Sequence, residues 1–294
     1  MTVVEGRTLS LSNLDKVLYP DGTTKGELLH YYATCAPLLL PHLVGRPVSF
    51  LRYPDGTEGQ RFFTKNVPPG TPEWVTTAEV PRSGRTTARQ VLLNDLPSLV
   101  WAANLVAELH TPQWCADSPA VADRLVLDLD PGPPAGIVEC CTLALRLRDR
   151  LARDGLVAGV KTSGSKGLHL LVPLRPTPTA RTAAYAKELA AEAEREDPAL
   201  AVHRMERRLR PGRVFIDHSQ NNAAKTTATA YTVRARSTPS VSAPIGWDEV
   251  AGCSSPGQLS FTLHELPDRL ERHGELLGML TDPAQARDLP RAAR

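Results

Sequence analysis

Two aspartates two positions apart, Asp128 and Asp130, sit in the segment Arg124-Leu-Val-Leu-Asp-Leu-Asp-Pro-Gly132. An alternation of period two places Val126, Asp128 and Asp130 on one face and Leu125, Leu127 and Leu129 on the other. That pattern predicts a strand whose leucine side packs on a core. At roughly 3.3 Å of rise per residue the two carboxylates stand about 7 Å apart. Like charges on one face repel unless a cation lies between them, and hard oxygen ligands favour Mg²⁺ or Mn²⁺. Asp217 is a third strand-end carboxylate. It closes the alternating run Arg213-Val-Phe-Ile-Asp-His-Ser219 and shares a face with Phe215.

The run Val160-Lys-Thr-Ser-Gly-Ser-Lys-Gly-Leu-His-Leu-Leu-Val172 reads as strand, tight glycine turn, strand. Gly164 and Gly167 let the backbone expose successive N–H groups to a phosphate. Ser163 and Ser165 add hydroxyls, Lys166 a cation, and His169 lies on the outgoing strand. The spacing is not that of a P-loop. Further on, Lys225 to Arg236 is β-prone and puts Arg234 and Arg236 on one face. Carboxylates, an amide-rich turn and late cations make an inventory suited to phosphoryl transfer on a nucleoside triphosphate. Carboxylate-held metals activate one oxygen and stabilise another, while Lys, Arg and amides grip the triphosphate.

The elements that must carry these groups follow in order. Ser12 to Pro20 is a short helix or turn. Thr24-Lys-Gly-Glu27 is a capping box that opens a helix to about Leu40, bent near Pro37. Lys16 and Lys25 flank the Asp21-Gly22 turn, where two ammoniums beside backbone N–H groups make an anion pocket. Pro47 to Tyr53 and Gln60 to Lys65 are strands. Phe62 and Phe63 then point to opposite faces, so that in a one-sided sheet one is buried and the other is available to stack on a base. Residues 67–89 read as loop. Asp95 to His110 reads as an apolar helix delivering His110. Helices are expected over 135–156, 178–196 and 263–280.

At 294 residues and a net charge of +2 the chain is an ordinary globular length and composition, one large domain or two small ones. Charge distribution says more than the total. Five arginines fall between Arg204 and Arg213, including Arg208 and Arg210, and Arg82, Arg85 and Arg89 form another basic group. Both are candidate phosphate-backbone contacts. The five cysteines lack C-x₂-C spacing, and no signal peptide, lipidation motif or long apolar run is present. This implies a reduced, cytoplasmic protein with no membrane span and no structural zinc.

The ordered motifs N-L-D-K-V-L-Y-P, T-T-K-G-E, F-F-T-K-N, E-L-H-T-P-Q-W, D-L-D-P-G, S-G-S-K-G-L-H, V-F-I-D-H-S-Q-N and Y-T-V-R-A-R closely resemble the polymerase domain of bacterial DNA ligase D, in the archaeo-eukaryotic primase superfamily. The resemblance runs from about residue 5 past residue 250. It implies an α+β fold: mixed and antiparallel sheets flanked by helices around a centre similar to an RNA-recognition module. One primase-like domain would span 1–294, with a DNA and 5′-phosphate part over about 1–115, a catalytic core over 116–250 and a helical extension over 251–294.

The resemblance further implies template-directed transfer of NTP or dNTP, with ribonucleotides preferred, to a primer 3′-OH at gaps or double-strand-break ends in non-homologous end joining. Mn²⁺ or Mg²⁺ would occupy a two-metal site. Ku and a separate DNA ligase would be partners, and the setting would be the bacterial nucleoid. By the same resemblance Asp128, Asp130 and Asp217 are the metal ligands, and Asp217 helps deprotonate the primer. Ser163, Ser165, Lys166 and His169 contact nucleotide phosphates. His110 reaches the incoming nucleotide, where a ribose 2′-OH contact favours NTP. Lys225 and Arg234 clamp the triphosphate. Asn13, Lys16 and Lys25 form the 5′-phosphate pocket, and Phe62 and Phe63 stack on DNA. Arg208 and Arg210 lie where the family has a mobile loop that handles the primer end. His218 stands where members often carry Trp. No ligase motif or nuclease module lies in the chain, so an excised domain or a stand-alone primase-polymerase is expected.

Two other readings compete. A non-catalytic module that bridges 5′-phosphorylated ends gains nothing from paired carboxylates. A two-metal nuclease has no use for the triphosphate cations Lys225 and Arg234.

Overall fold

The computed structural model describes residues 1–81 and 86–290, so Arg82 and Arg85 lie outside the described residues. The chain divides into two compact units. The first comprises Met1–Asp117, Thr226–Ser242 and Phe261–Gly274; the second comprises Ser118–Lys225, Ala243–Ser260 and Glu275–Arg294. Each has its own sheet, and together strands and helices make the α+β class that the sequence predicts.

In the first unit the sheet order is Thr227–Ala228, Ala107–Thr111, Pro47–Arg52, Thr87–Leu92 and Thr77–Pro81, with Phe62–Thr64 also paired to Pro47–Arg52. All these pairings are antiparallel. The helix Lys25–Leu43 starts where the capping box places it. The Glu27 N–H donates to Thr24 Oγ1, and the Thr24 N–H donates to Glu27 Oε2 at 2.7 Å. The helix carries both Pro37 and Pro41 without ending. Its Tyr32 hydroxyl donates to the Ala107 carbonyl at 3.2 Å, tying helix to sheet.

Two expectations fail in this unit. Thr77–Pro81 and Thr87–Leu92 are strands, not loop. Thr77–Pro81 pairs with Thr87–Leu92, which pairs in turn with Pro47–Arg52, and this pairing supplies what their Thr- and Pro-rich composition hides. The apolar stretch from Asp95 is helical only over Leu96–Asn104. At Val106 the backbone turns left-handed (φ 54°) and the chain continues as the strand Ala107–Thr111. A β-branched residue there costs about 1–3 kcal/mol. The pairing of Ala107–Thr111 with Pro47–Arg52 offsets that cost.

In the second unit the order is Ala201–Val202, Val214–Asp217, Val121–Pro131, Leu168–Pro178, Gly159–Thr162 and Pro244–Ile245. Only the first pair is parallel. Leu125, Val126, Leu127 and Leu129 are all fully buried. The central strand is therefore covered on both faces, which is why an apolar Val126 shares the face of Asp128. Helices Ile137–Arg153 and Thr179–Glu196 pack on the two central strands. The predicted terminal helix is short, Leu266–His273, and belongs to the first unit. Among the described residues no helix is long and apolar enough to cross a membrane.

Candidate active site

The second unit gathers the carboxylates. In the antiparallel ladder Asp217 lies directly opposite Asp128, and Phe215 opposite Asp130. The Asp217 strand ends there because its side chain caps the next turn. Asp217 Oδ1 accepts from the Ser219 N–H at 3.1 Å and from Ser219 Oγ at 2.5 Å, while Oδ2 accepts from Gln220 Nε2 at 2.9 Å. Asn221, fully buried, then continues the ladder with its side chain. Its Nδ2 donates to the Val126 carbonyl at 2.7 Å, and its Oδ1 accepts from the Val126 N–H at 2.9 Å. Sequence reasoning takes Gln220-Asn-Asn222 as a strand breaker and misses this role. His218 opens the same turn, half-buried, with its ring 6.4 Å from that of His203.

Asp128 and Asp217 both act on Asp130. Solvent reaches the Asp130 side chain at the strand end. Enough protein nonetheless surrounds its carboxyl to push it up to about 6, through lost hydration first, then the charge of Asp128, with Asp217 adding to both. His169 and Arg210 pull the other way. Hard-oxygen donors on adjacent strands, one of which resists ionisation beside the charge of another, fit a divalent cation. Among the described residues no group of three or more His, Cys, Asp or Glu is gathered tightly enough to hold an ion as it stands. Mg²⁺ is commonly held by one or two carboxylates, with waters and substrate phosphates completing the shell.

His169, expected at a phosphate, is buried and lies opposite both Asp128 and Lys161. Its Nε2 is 3.3 Å from Asp128 Oδ1, and its Nδ1 is 3.0 Å from Lys161 Nζ. Lysine has only donors, so Nδ1 accepts and Nε2 carries the proton toward Asp128. The histidine thus lies directly beside a candidate metal ligand, in the place an outer-shell partner takes.

The glycine turn differs in part from its expected form. Gly164 is left-handed (φ 66°), and a Cβ on Gly167 would lie 1.8 Å from the Leu129 carbonyl oxygen. Glycine is needed there for close approach to the carboxylate strand. Ser163 is buried, and its Oγ accepts from the N–H groups of Ser165 and Gly167, each at 3.2 Å. Ser163 therefore builds the turn from within, while Ser165 and Lys166 are exposed at its tip. Lys225 is also exposed.

Arg208 is exposed within the arginine-rich segment, but Arg210 turns inward. Its guanidinium stacks 3.6 Å above the Phe215 ring, and its Nη2 donates to the Met205 carbonyl. The segment is pinned at Gly132, where any Cβ would meet the Arg210 carbonyl oxygen at 2.2 Å.

The first unit holds the remaining residues. Asn13 adopts a left-handed turn (φ 53°), which asparagine tolerates. Its carbonyl accepts from the Lys16 N–H, and the Lys16 carbonyl accepts from the Lys25 N–H at 2.8 Å. The Lys25 ammonium is buried and donates to the Ser12 carbonyl at 2.7 Å. Burial, then the charge of Lys16, lowers its pKa. Lys16 pairs with Asp55 at 2.8 Å. Lys16 and Lys25 thus stand on one turn, close enough for the charge of Lys16 to act on Lys25.

Phe62 and Phe63 are both exposed, at 45% and 56%, on an edge strand. The expectation that one is buried fails: among the described residues neither ring is covered.

His110 and Arg234 meet at a residue that sequence reasoning passes over. Glu108 is 1% exposed. Its Oε2 lies 3.0 Å from His110 Nε2 and accepts from Arg234 Nε at 2.8 Å, and its Oε1 accepts from the Ala235 N–H at 2.6 Å. Burial would raise this carboxyl, but the hydrogen bond from His110 and the charge of Arg234 outweigh it and hold it at about 2. Read as a strand, Glu108 and His110 share a face at i and i+2; read as a helix, they do not. Arg236, predicted beside Arg234, is exposed while Arg234 is half-buried, since the only strand described between Lys225 and Arg236 is Thr227–Ala228.

Comparison with known proteins matches residues 24–277 to the family "LigD, primase-polymerase domain". The chain is 39% identical, over 95% of its length, to the multifunctional non-homologous end joining protein LigD of Mycolicibacterium smegmatis, of which it covers 37%. It is likewise 39% identical to the multifunctional non-homologous end joining DNA repair protein LigD of Mycobacterium tuberculosis (strain H37Rv), covering 38% of that protein. It is 28% identical to the bifunctional LigD of Bacillus subtilis, covering 43%. The chain thus spans well under half the length of these relatives. Among solved structures it is similar to the polymerase domain from Mycobacterium tuberculosis ligase D in complex with DNA. The TM-score is 0.88 and the identity 39%, covering 95% of this chain and 99% of that one.

Proposed function

The chain belongs to the LigD primase-polymerase domain family, and from that premise we propose that it is a template-dependent polymerase that extends a primer 3′-OH at DNA gaps and broken ends, preferring ribonucleotides. Membership makes it a nucleotidyltransferase of the polymerase type. The observation that carries the finer reading is the ladder position of Asp217 opposite Asp128, with Asp130 two residues further along the same strand.

Polymerase-type nucleotidyl transfer uses divalent metal. Asp128, Asp130 and Asp217 would hold Mn²⁺ or Mg²⁺, which when bound supplies Lewis acidity at the reacting phosphate and neutralises its charge. The protein's own residues do the rest. His169 sets its Nε2 beside Asp128, 3.3 Å from Oδ1. Ser219 and Gln220 fix both oxygens of Asp217, and Oδ2, with a single donor, retains a lone pair for a further partner. Ser165, Lys166 and Lys225 offer donors to phosphate oxygens. His110 and Arg234 take up the sugar and triphosphate of the incoming nucleotide. Asn13, Lys16 and Lys25 receive the 5′-phosphate of the downstream strand, and Phe62 and Phe63 stack on DNA. Ku and a ligase complete the end-joining role.

The test is extension of a labelled primer across a short gap with Mn²⁺, comparing NTP with dNTP and a downstream 5′-phosphate with a 5′-hydroxyl. Templated addition favouring NTP and the phosphate supports the proposal. Phosphate-dependent binding without any addition would turn it into an end-bridging module.

A further inference from the structure

We infer that Glu108 is a positioning residue that couples sugar selection to the grip on the triphosphate. The inference rests on reading His110 and Arg234 as nucleotide contacts.

Its ground is the way three groups converge on one hidden carboxylate. The Glu108 side chain is 1% exposed, whereas those of His110 and Arg234 are 15% and 12% exposed. The anion lies behind, and two cationic or cationisable tips lie in front of it, at the boundary with solvent. Both reach the same atom, Oε2, while Oε1 is held by the Ala235 N–H, which fixes the carboxylate plane. Arg234 makes this contact through Nε and His110 through Nε2.

A buried ion triad is a weak device for stability alone, since a well-packed apolar set of similar volume does as well or better. What a shared acceptor does supply is mutual orientation. A sugar hydroxyl that draws the His110 ring changes the bond at Oε2, and Arg234, bonded to the same oxygen, responds. Discrimination at the ribose and affinity for the phosphates then rise or fall together. An arrangement with separate acceptors would leave the two properties independent.

The decisive variant is Glu108→Gln, which keeps the shape and removes the charge. It is compared with His110→Ala, Arg234→Ala and the double variant Glu108→Gln/His110→Ala in steady-state primer extension with NTP and dNTP. The expected result is a fall in the NTP-to-dNTP ratio of kcat/KM of at least about tenfold. KM for both nucleotides should rise, and the double variant should be no worse than His110→Ala in selectivity. A merely structural glutamate would lower activity without moving that ratio, and an unchanged ratio beside an altered one in His110→Ala overturns the inference. Unchanged nucleotide kinetics in both His110→Ala and Arg234→Ala would instead overturn the nucleotide reading, and this inference with it. Should Glu108→Gln not fold, nitrogen NMR of the His110 ring in the intact protein decides. A proton on Nε2 and ring shifts that respond to NTP more than to dNTP are expected; a ring deprotonated at Nε2, or indifferent to NTP, overturns it.

Discussion

Asp217 faces Asp128 across one rung of an antiparallel ladder, so the sheet itself sets the distance between two of the candidate metal ligands. Both backbones are placed by the sheet, and the turn that follows then orients the Asp217 carboxylate through Ser219 and Gln220. Asp128→Asn should therefore leave the fold and DNA affinity unchanged while slowing primer extension by at least about a thousandfold, the scale of losing one preorganised transition-state contact. Primer extension and a DNA-binding titration on the same variant check this. Extension near the wild-type rate would remove Asp128 from the metal site.

The Asp130 carboxyl gives a pH prediction with two opposite signs. In the metal-free protein it is pushed up to about 6 from the usual 3.8, by lost hydration first and by Asp128 and Asp217 after. Between those values the native state binds a proton that the unfolded chain does not. Its contribution to metal-free stability is thus present at low pH and is lost as pH rises through about 6. Metal binding must displace that proton, so Mn²⁺ affinity should instead fall as pH drops below about 6, by up to tenfold per unit. Asp130→Asn should abolish this contribution to the thermal pH profile. Melting curves without metal and Mn²⁺ titrations between pH 5 and 8 would show both signs, and the same sign in the two would contradict the assignment.

The pocket formed by Asn13, Lys16 and Lys25 predicts a selective defect. Lys16→Ala with Lys25→Met, the methionine keeping the buried stem packed, should reduce the preference for a 5′-phosphorylated downstream strand by about 10- to 100-fold. Extension on a 5′-hydroxyl gap should change little. An undiminished phosphate preference would place the pocket elsewhere.

Phe62 and Phe63 are exposed, so truncating them should cost little stability. If they stack on bases, each alanine should weaken DNA binding by about 1–3 kcal/mol. Calorimetric melting and fluorescence titration with a gapped duplex separate the two effects. A large drop in melting temperature would mean that the rings pack on protein.

What was legible in the chain follows from which signals were local. The carboxylate strand and the Gly164–Gly167 turn show plainly, because alternation and turn residues report on their own backbone. Glu108 does not. The apolar run before it favours helix, and only the pairing of Ala107–Thr111 with Pro47–Arg52 makes it a strand. The inward hydroxyl of Ser163 and the stacked Arg210 were hidden for a related reason. Polar residues near a presumed phosphate site invite a ligand role, yet both turn back onto nearby segments of the chain, which alternation and turn composition do not report.

Asn221 bonds to the main chain of Val126 and ignores its side chain. Residue 126 can therefore exchange among apolar types of similar size without weakening that link. Residue 221 has no such latitude. Aspartate lacks the donor, leucine lacks both polar groups, and glutamine overshoots by a methylene. Across descendants of a common ancestor, drift should collect at position 126 and be purged at position 221, although the two residues touch.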